Sequence, residues 1–135
     1  MKSIFLLLVF LFTIPVPAQT NSTRVDTVII AAGDSVSTAL SLGDYKPIAI
    51  INDTVWTNAQ LTFLAAHNSK ADSNYKPVFN ADSTQLIAKT AAKYYTILDP
   101  DKFAGLQYIK LKSGLHNAAV IQPYKKVLKV ISKKY

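Results

Sequence analysis

Cysteine and glutamate are both absent from this chain of 135 residues. Without cysteine there are no disulfide staples, no thiolate metal ligands and no thiol redox chemistry, and any export is to a place where disulfides are not used. Without glutamate, all eight acidic residues are aspartates, at positions 26, 34, 44, 53, 72, 82, 99 and 101. Glutamate forms helices well, whereas aspartate competes for nearby backbone groups and settles in caps and turns. The chain is therefore expected to be poor in helix and rich in turns. A membrane helix needs about 20 apolar residues, and the apolar run at residues 4–12 is too short to supply it. The two histidines, His67 and His116, stand apart from each other and from any carboxylate cluster, so no zinc site is expected. Asp99-Pro100-Asp101 lacks the repeated acidic positions and the closing glutamate of a calcium loop.

What is present begins with a leader. Lys2 precedes the apolar run, which gives way to Thr13, Ile14 and Pro15-Val16-Pro17-Ala18. A charged start, a short apolar stretch and small residues before a cut after Ala18 match a secretory signal peptide. With no cysteine to follow, lipoprotein processing is excluded. Residues 1–18 are expected to be this leader and residues 19–135 one domain, large enough to bury a core.

From Arg24 onward the chain reads as short strands separated by turns about ten residues apart, the rhythm of a sandwich or barrel. Residues 25–31 and 36–42 are strand candidates, split by Gly33-Asp34 and closed by Gly43-Asp44. Residues 47–51 form an almost wholly apolar run, expected to be covered on both faces. Residues 61–66 place Leu61, Phe63 and Ala65 on one face and Thr62, Leu64 and Ala66 on the other, again largely buried. A polar loop at 67–74 precedes candidates at 75–79, 84–90 and 94–98. Asp99-Pro100 breaks the chain, because proline biases the residue before it away from helix, and a single helical turn is expected at 101–104. In residues 107–112, Ile109 and Leu111 point inward while Tyr108, Lys110 and Lys112 point outward. Ser113-Gly114 is expected to turn the chain, with residues 118–122 and 127–131 following. The expectation is an all-β, single-domain antiparallel β-sandwich, jelly-roll-like, with about nine or ten short strands.

Charge is uneven along the chain. Eight lysines and no acidic residue lie from Lys102 to the end, against seven basic and eight acidic residues before it. Such a basic end attracts polyanions without sequence preference, but no aromatic-interleaved nucleic-acid motif accompanies it, so no specific nucleic acid is expected. A solvated face with lysines guarding strand edges accounts for it better. Trp56 together with the Tyr108, Lys110 and Lys112 face is the candidate interaction surface, with a surface glycan as its candidate ligand.

The segment from Val28 to Ser35 resembles the opening block of the GDSL esterases, in which a strand leads into Gly-Asp-Ser and the serine is the nucleophile. A serine needs a base to take its proton. That family carries an Asp-x-x-His pair near its C-terminus, whereas here Leu64 precedes His67 and Ser113 precedes His116 by three residues, and no acidic residue follows Asp101. An esterase is thus a remote alternative, and no catalytic residue, cofactor or metal is assigned.

A second resemblance spans roughly residues 25–131. Its anchors are Gly33-Asp34-Ser35-Val36-Ser37, Leu42-Gly43, Ile48 to Ile51, Trp56, Ala59, Leu61-Thr62-Phe63, Tyr75 with Pro77-Val78, Leu98 with Pro100, Phe103-Ala104-Gly105, Leu111-Lys112-Ser113-Gly114 and Gln122. In this order they resemble small bacteriophage virion-associated structural proteins, accessory head or tail components of unassigned biochemistry. The chain departs from them at Ala65-Ala66-His67-Asn68, where similar proteins tend to have a Ser-Asp-Gly type turn. The resemblance implies a non-catalytic virion structural or decoration protein whose partners are other virion proteins or further copies of itself, located in the virion. A functional leader implies instead a secreted, extracytoplasmic module, an extracellular or cell-surface β-sandwich that binds a partner such as a glycan.

Overall fold

In a computed structural model the described residues are 22–52, 56, 59–67, 71–88 and 95–135. The expected leader at 1–18 lies outside them, as do Tyr94 and the end of the 84–90 strand candidate. Ten strands form in chain order: β1 (Thr23–Ile30), β2 (Leu40–Ser41), β3 (Tyr45–Asn52), β4 (Leu61–Ala66), β5 (Lys76–Pro77), β6 (Ile87–Ala88), β7 (Tyr95–Ile97), β8 (Tyr108–Leu115), β9 (Ala118–Ala119) and β10 (Lys126–Lys134). Helix among the described residues is limited to two short 3-10 segments, Asp72–Asn74 and Pro100–Phe103. The second starts where Asp99 Oδ1 accepts from the Asp101 backbone N–H and Pro100 supplies its fixed φ, the aspartate capping that the composition predicts.

The strands form two antiparallel sheets. One has the order β1-β10-β3-β7; the other has the order β2-β8-β4-β5, with β6 also on β4 and β9 on the end of β8. Val28 and Ile30 of β1, Ile50 of β3, and Leu128 and Val130 of β10 meet Leu61 and Phe63 of β4 and Ile109 and Leu111 of β8 in one buried cluster. Phe103, from the 3-10 segment, fills the space beside Phe63 edge-on, with ring centres 5.0 Å apart. The fold is therefore an all-β sandwich whose core is the alternate residues of two facing sheets.

Several boundaries differ from the sequence expectation, each for a tertiary reason. Residues 36–42 do not form one strand. Only Leu40–Ser41 pairs regularly, while Ser37 bridges Ile30 and Val36 bridges Lys112, so this stretch crosses from one sheet to the other. Ser113-Gly114 is not a turn. β8 runs through both residues to Leu115, and the chain reverses at His116 and Asn117. Gly114 has φ +93°, and a Cβ there would lie 2.3 Å from the Ala118 carbonyl oxygen and 2.7 Å from the Val120 nitrogen. Its role is to let β9 approach the strand, not to end it. The expected strand at 118–122 shrinks to Ala118–Ala119, because Gln122 turns inward and donates from its side-chain amide to Ser113 Oγ at 2.6 Å. Residues 47–51 fall within β3, but Ile48 and Ile51 are only half-buried. Pro47 sits where the pairing with β10 slips by one residue, between Ile131 and Ser132, a bulge that accommodates a residue with no N–H to give.

Candidate functional site

The Gly33-Asp34-Ser35 block is stitched into the sandwich through its backbone. Gly33 N–H donates to the Gln122 carbonyl at 2.8 Å, Gln122 N–H returns to Asp34 O at 2.9 Å, and Ser113 N–H donates to Ser35 O at 2.7 Å. The buried Ser37 hydroxyl extends the seam, donating to Thr38 O and accepting from Leu111 N–H at 2.9 Å. The Ser37 hydroxyl gives a side-chain reason for a short polar residue at this crossing, while Gly33, Asp34 and Ser35 join the seam through backbone groups. Neither histidine bonds to Ser35: His67 Nδ1 lies 3.3 Å from Gly105 O, and the His116 backbone N–H donates to Gln85 while its ring meets Phe79 edge-on. Among the described residues no group of three or more His, Cys, Asp or Glu could hold a metal ion.

The four expected surface residues separate. Trp56 is half-buried, packs against the core cluster and donates from Nε1 to Ala59 O at 2.8 Å. It anchors the chain ahead of β4 and does not stand as an open stacking platform. Tyr108, Lys110 and Lys112 do share the outward face of β8, alternating with buried Ile109 and Leu111. Their ammonium groups are engaged: Lys112 donates to His116 O at 2.8 Å, and Lys110 pairs with Asp72. The basic C-terminal third is similarly answered by earlier aspartates, Lys134 lying 3.5 Å from Asp44. At Lys110 and Lys134, charge segregated along the chain is thus paired in space.

Beside Lys110 lies a groove of about 560 Å³, walled on one side by residues 34–38 and on the other by Leu64, Asp72, Tyr75 and Lys110. Register explains the assembly, since β4 and β8 pair Leu64 with Lys110, side by side on the outward face. The Lys110 ammonium sits 4.7 Å from the centre of the Tyr75 ring, a cation–π contact. Tyr75 is only 9% exposed, and its hydroxyl is buried with no hydrogen-bond partner. Desolvation first, then the charges of Asp72 and Tyr108, raises its pKa above the ordinary value, so the phenol keeps its proton. In the sequence Tyr75 stands only as an ordered anchor at the start of the 75–79 strand candidate, with nothing to couple it to Lys110. Tyr75 follows the 3-10 segment Asp72–Asn74, outside any regular strand, so no periodicity reports on its contact with β8.

A second surface was not foreseen. On the outward face of the four-stranded sheet, Val25, Ile131, Ala49 and Ile97 stand in register across all four strands. The next row is Thr27, Lys129, Ile51 and Tyr95. Val25 is 58% exposed and Ile97 79%. No helix among the described residues is long and apolar enough to cross a membrane. No family model, curated protein or solved structure matches this chain.

Proposed function

We propose that this chain is a non-catalytic structural or decoration protein of a bacteriophage virion. The observation that carries the reading is the apolar row on the outward face of the four-stranded sheet, added to the resemblance of the ordered blocks from Gly33 to Gln122. An outward sheet face is ordinarily polar; here exposed Val25 and Ile97 flank half-buried Ile131 and buried Ala49 in one row, which is suited to burial against a neighbour. Lys129 and Lys133 share that face with Ile131, which favours a neighbouring virion protein bearing carboxylates over a second copy of this basic chain. β1 to β4 alternate between the two sheets and β10 returns beside β1, which supports taking the sandwich as jelly-roll-like, an architecture found in viral capsid and lectin domains. Fold alone does not assign a function, so the surface must.

Mass spectrometry of purified particles tests this directly. Stoichiometric presence in virions is expected, together with loss of incorporation in Ile97→Asp. Absence from particles, with a mature N-terminus at Gln19 in the culture medium, overturns it and supports the second reading, an exported extracellular or cell-surface binding module. The groove beside Tyr75 and Lys110 is the observation that favours that alternative.

A further inference from the structure

We propose that the groove between residues 34–38 and the Tyr75–Lys110 pair binds an uncharged saccharide ring. Lys110 and Asp72 would take two neighbouring hydroxyls, and the Tyr75 phenol would donate to a third oxygen. This stands apart from the virion assignment, since a virion component and an exported module can both carry such a site.

Tyr75 supplies the first argument. A buried hydroxyl without a partner is costly to keep, and this one belongs to a side chain more than nine-tenths buried in the groove wall. It is a donor in want of an acceptor, closed to solvent in the free protein, so a ligand oxygen reaches it only once the Lys110 side chain moves aside. Charge supplies the second argument. The titratable groups that line the groove on acidic or basic side chains are Asp34, Asp72 and Lys110, a formal balance of −1 (one cation, two carboxylates). Phosphate, sulfate or a uronic acid would meet two carboxylates against one ammonium already paired with Asp72. A sugar hydroxyl both donates and accepts, so an adjacent carboxylate and ammonium suit two neighbouring hydroxyls.

The remaining walls fit the same ligand. Ile29, Val36 and Leu64 give apolar surface for the C–H face of a ring, and about 560 Å³ lies within the range of small-molecule sites. The Lys110 stem is the movable part. It lies over Tyr75 from a strand whose backbone is held in the sheet, and its flexible chain can lift its ammonium onto the ligand while the strand stays fixed.

Saturation-transfer NMR on the full chain tests this with glucose, galactose, mannose and N-acetylglucosamine as probes, and with inorganic phosphate and glucuronate as anionic controls. Transfer to the ring protons of at least one neutral sugar is expected, with a dissociation constant on the order of a millimolar. Tyr75→Phe, Asp72→Asn and Lys110→Met should each weaken it by roughly tenfold, the worth of one good hydrogen bond. Tyr75→Phe removes only an unbonded oxygen, so its unchanged thermal transition shows that lost binding is not lost folding. No transfer to any neutral sugar, stronger binding of phosphate or glucuronate, or undiminished binding in Tyr75→Phe overturns the proposal.

Discussion

At Gly114 a single hydrogen in place of a methyl group decides whether the β8–β9 hairpin can close. Gly33 also has positive φ, but open space surrounds it, whereas Gly114 faces backbone at 2.3 Å. Gly33→Ala should therefore cost about 1 kcal/mol, the left-handed penalty alone. Gly114→Ala should cost about 2–4 kcal/mol, since backbone must shift as well. Urea denaturation midpoints of the two variants measure the difference. Tyr75 makes the opposite case. Removing a buried hydroxyl that has no partner is expected to leave stability unchanged or raise it by up to about 1 kcal/mol. Because folding raises the Tyr75 pKa, the folded state holds its proton more tightly than the unfolded state does. Its contribution is complete below the ordinary tyrosine value of about 10 and is lost as pH rises beyond it. Denaturant midpoints measured up through that range should fall more steeply in the native protein than in Tyr75→Phe.

Individual strands in this sandwich have two apolar faces with different purposes. β10 is the clearest, with Leu128 and Val130 fully buried between the sheets and Ile131 on the outward row with Val25. Leu128→Ala is expected to destabilise by about 2–5 kcal/mol, through lost transfer energy and the cavity left behind. Ile97→Ala, on the outward row and 79% exposed, is expected to change stability by less than about 0.5 kcal/mol. Calorimetric melting of both variants separates packing within the sandwich from surface available to a partner. The bulge at Pro47 belongs to this scale as well. It lets a proline sit in a strand that pairs with β10 on one side and with β7 on the other, beginning only at Ala49.

Across the described residues, closure depends on the first and last strands pairing. β10 lies between β1 and β3, pairing Thr23 with Lys133 and Tyr45 with Lys134. A chain ending at Tyr124 would lose one of the two inner strands of the four-stranded sheet and both core residues it contributes, Leu128 and Val130. No cooperative thermal transition and collapsed amide dispersion in its NMR spectrum are the expected outcome. Much of the architecture was legible in residue order alone. The aspartate-only acidity predicted a chain rich in turns and poor in helix, strict alternation placed Ile109 and Leu111 inside, and the 61–66 strand was read to its ends, because alternation and turn chemistry are local properties. The crossing at 35–38, the continuation of β8 through Gly114 and the core role of Trp56 were not legible, since each depends on a backbone or side chain remote in sequence. The two surfaces divide in the same way. Sequence by itself determined that Tyr108, Lys110 and Lys112 share an outward face. Only tertiary structure decided that Lys110 meets Tyr75 and Asp72, and that Val25, Ile131, Ala49 and Ile97 align, because the register between distant strands arises from how two sheets bury a common core.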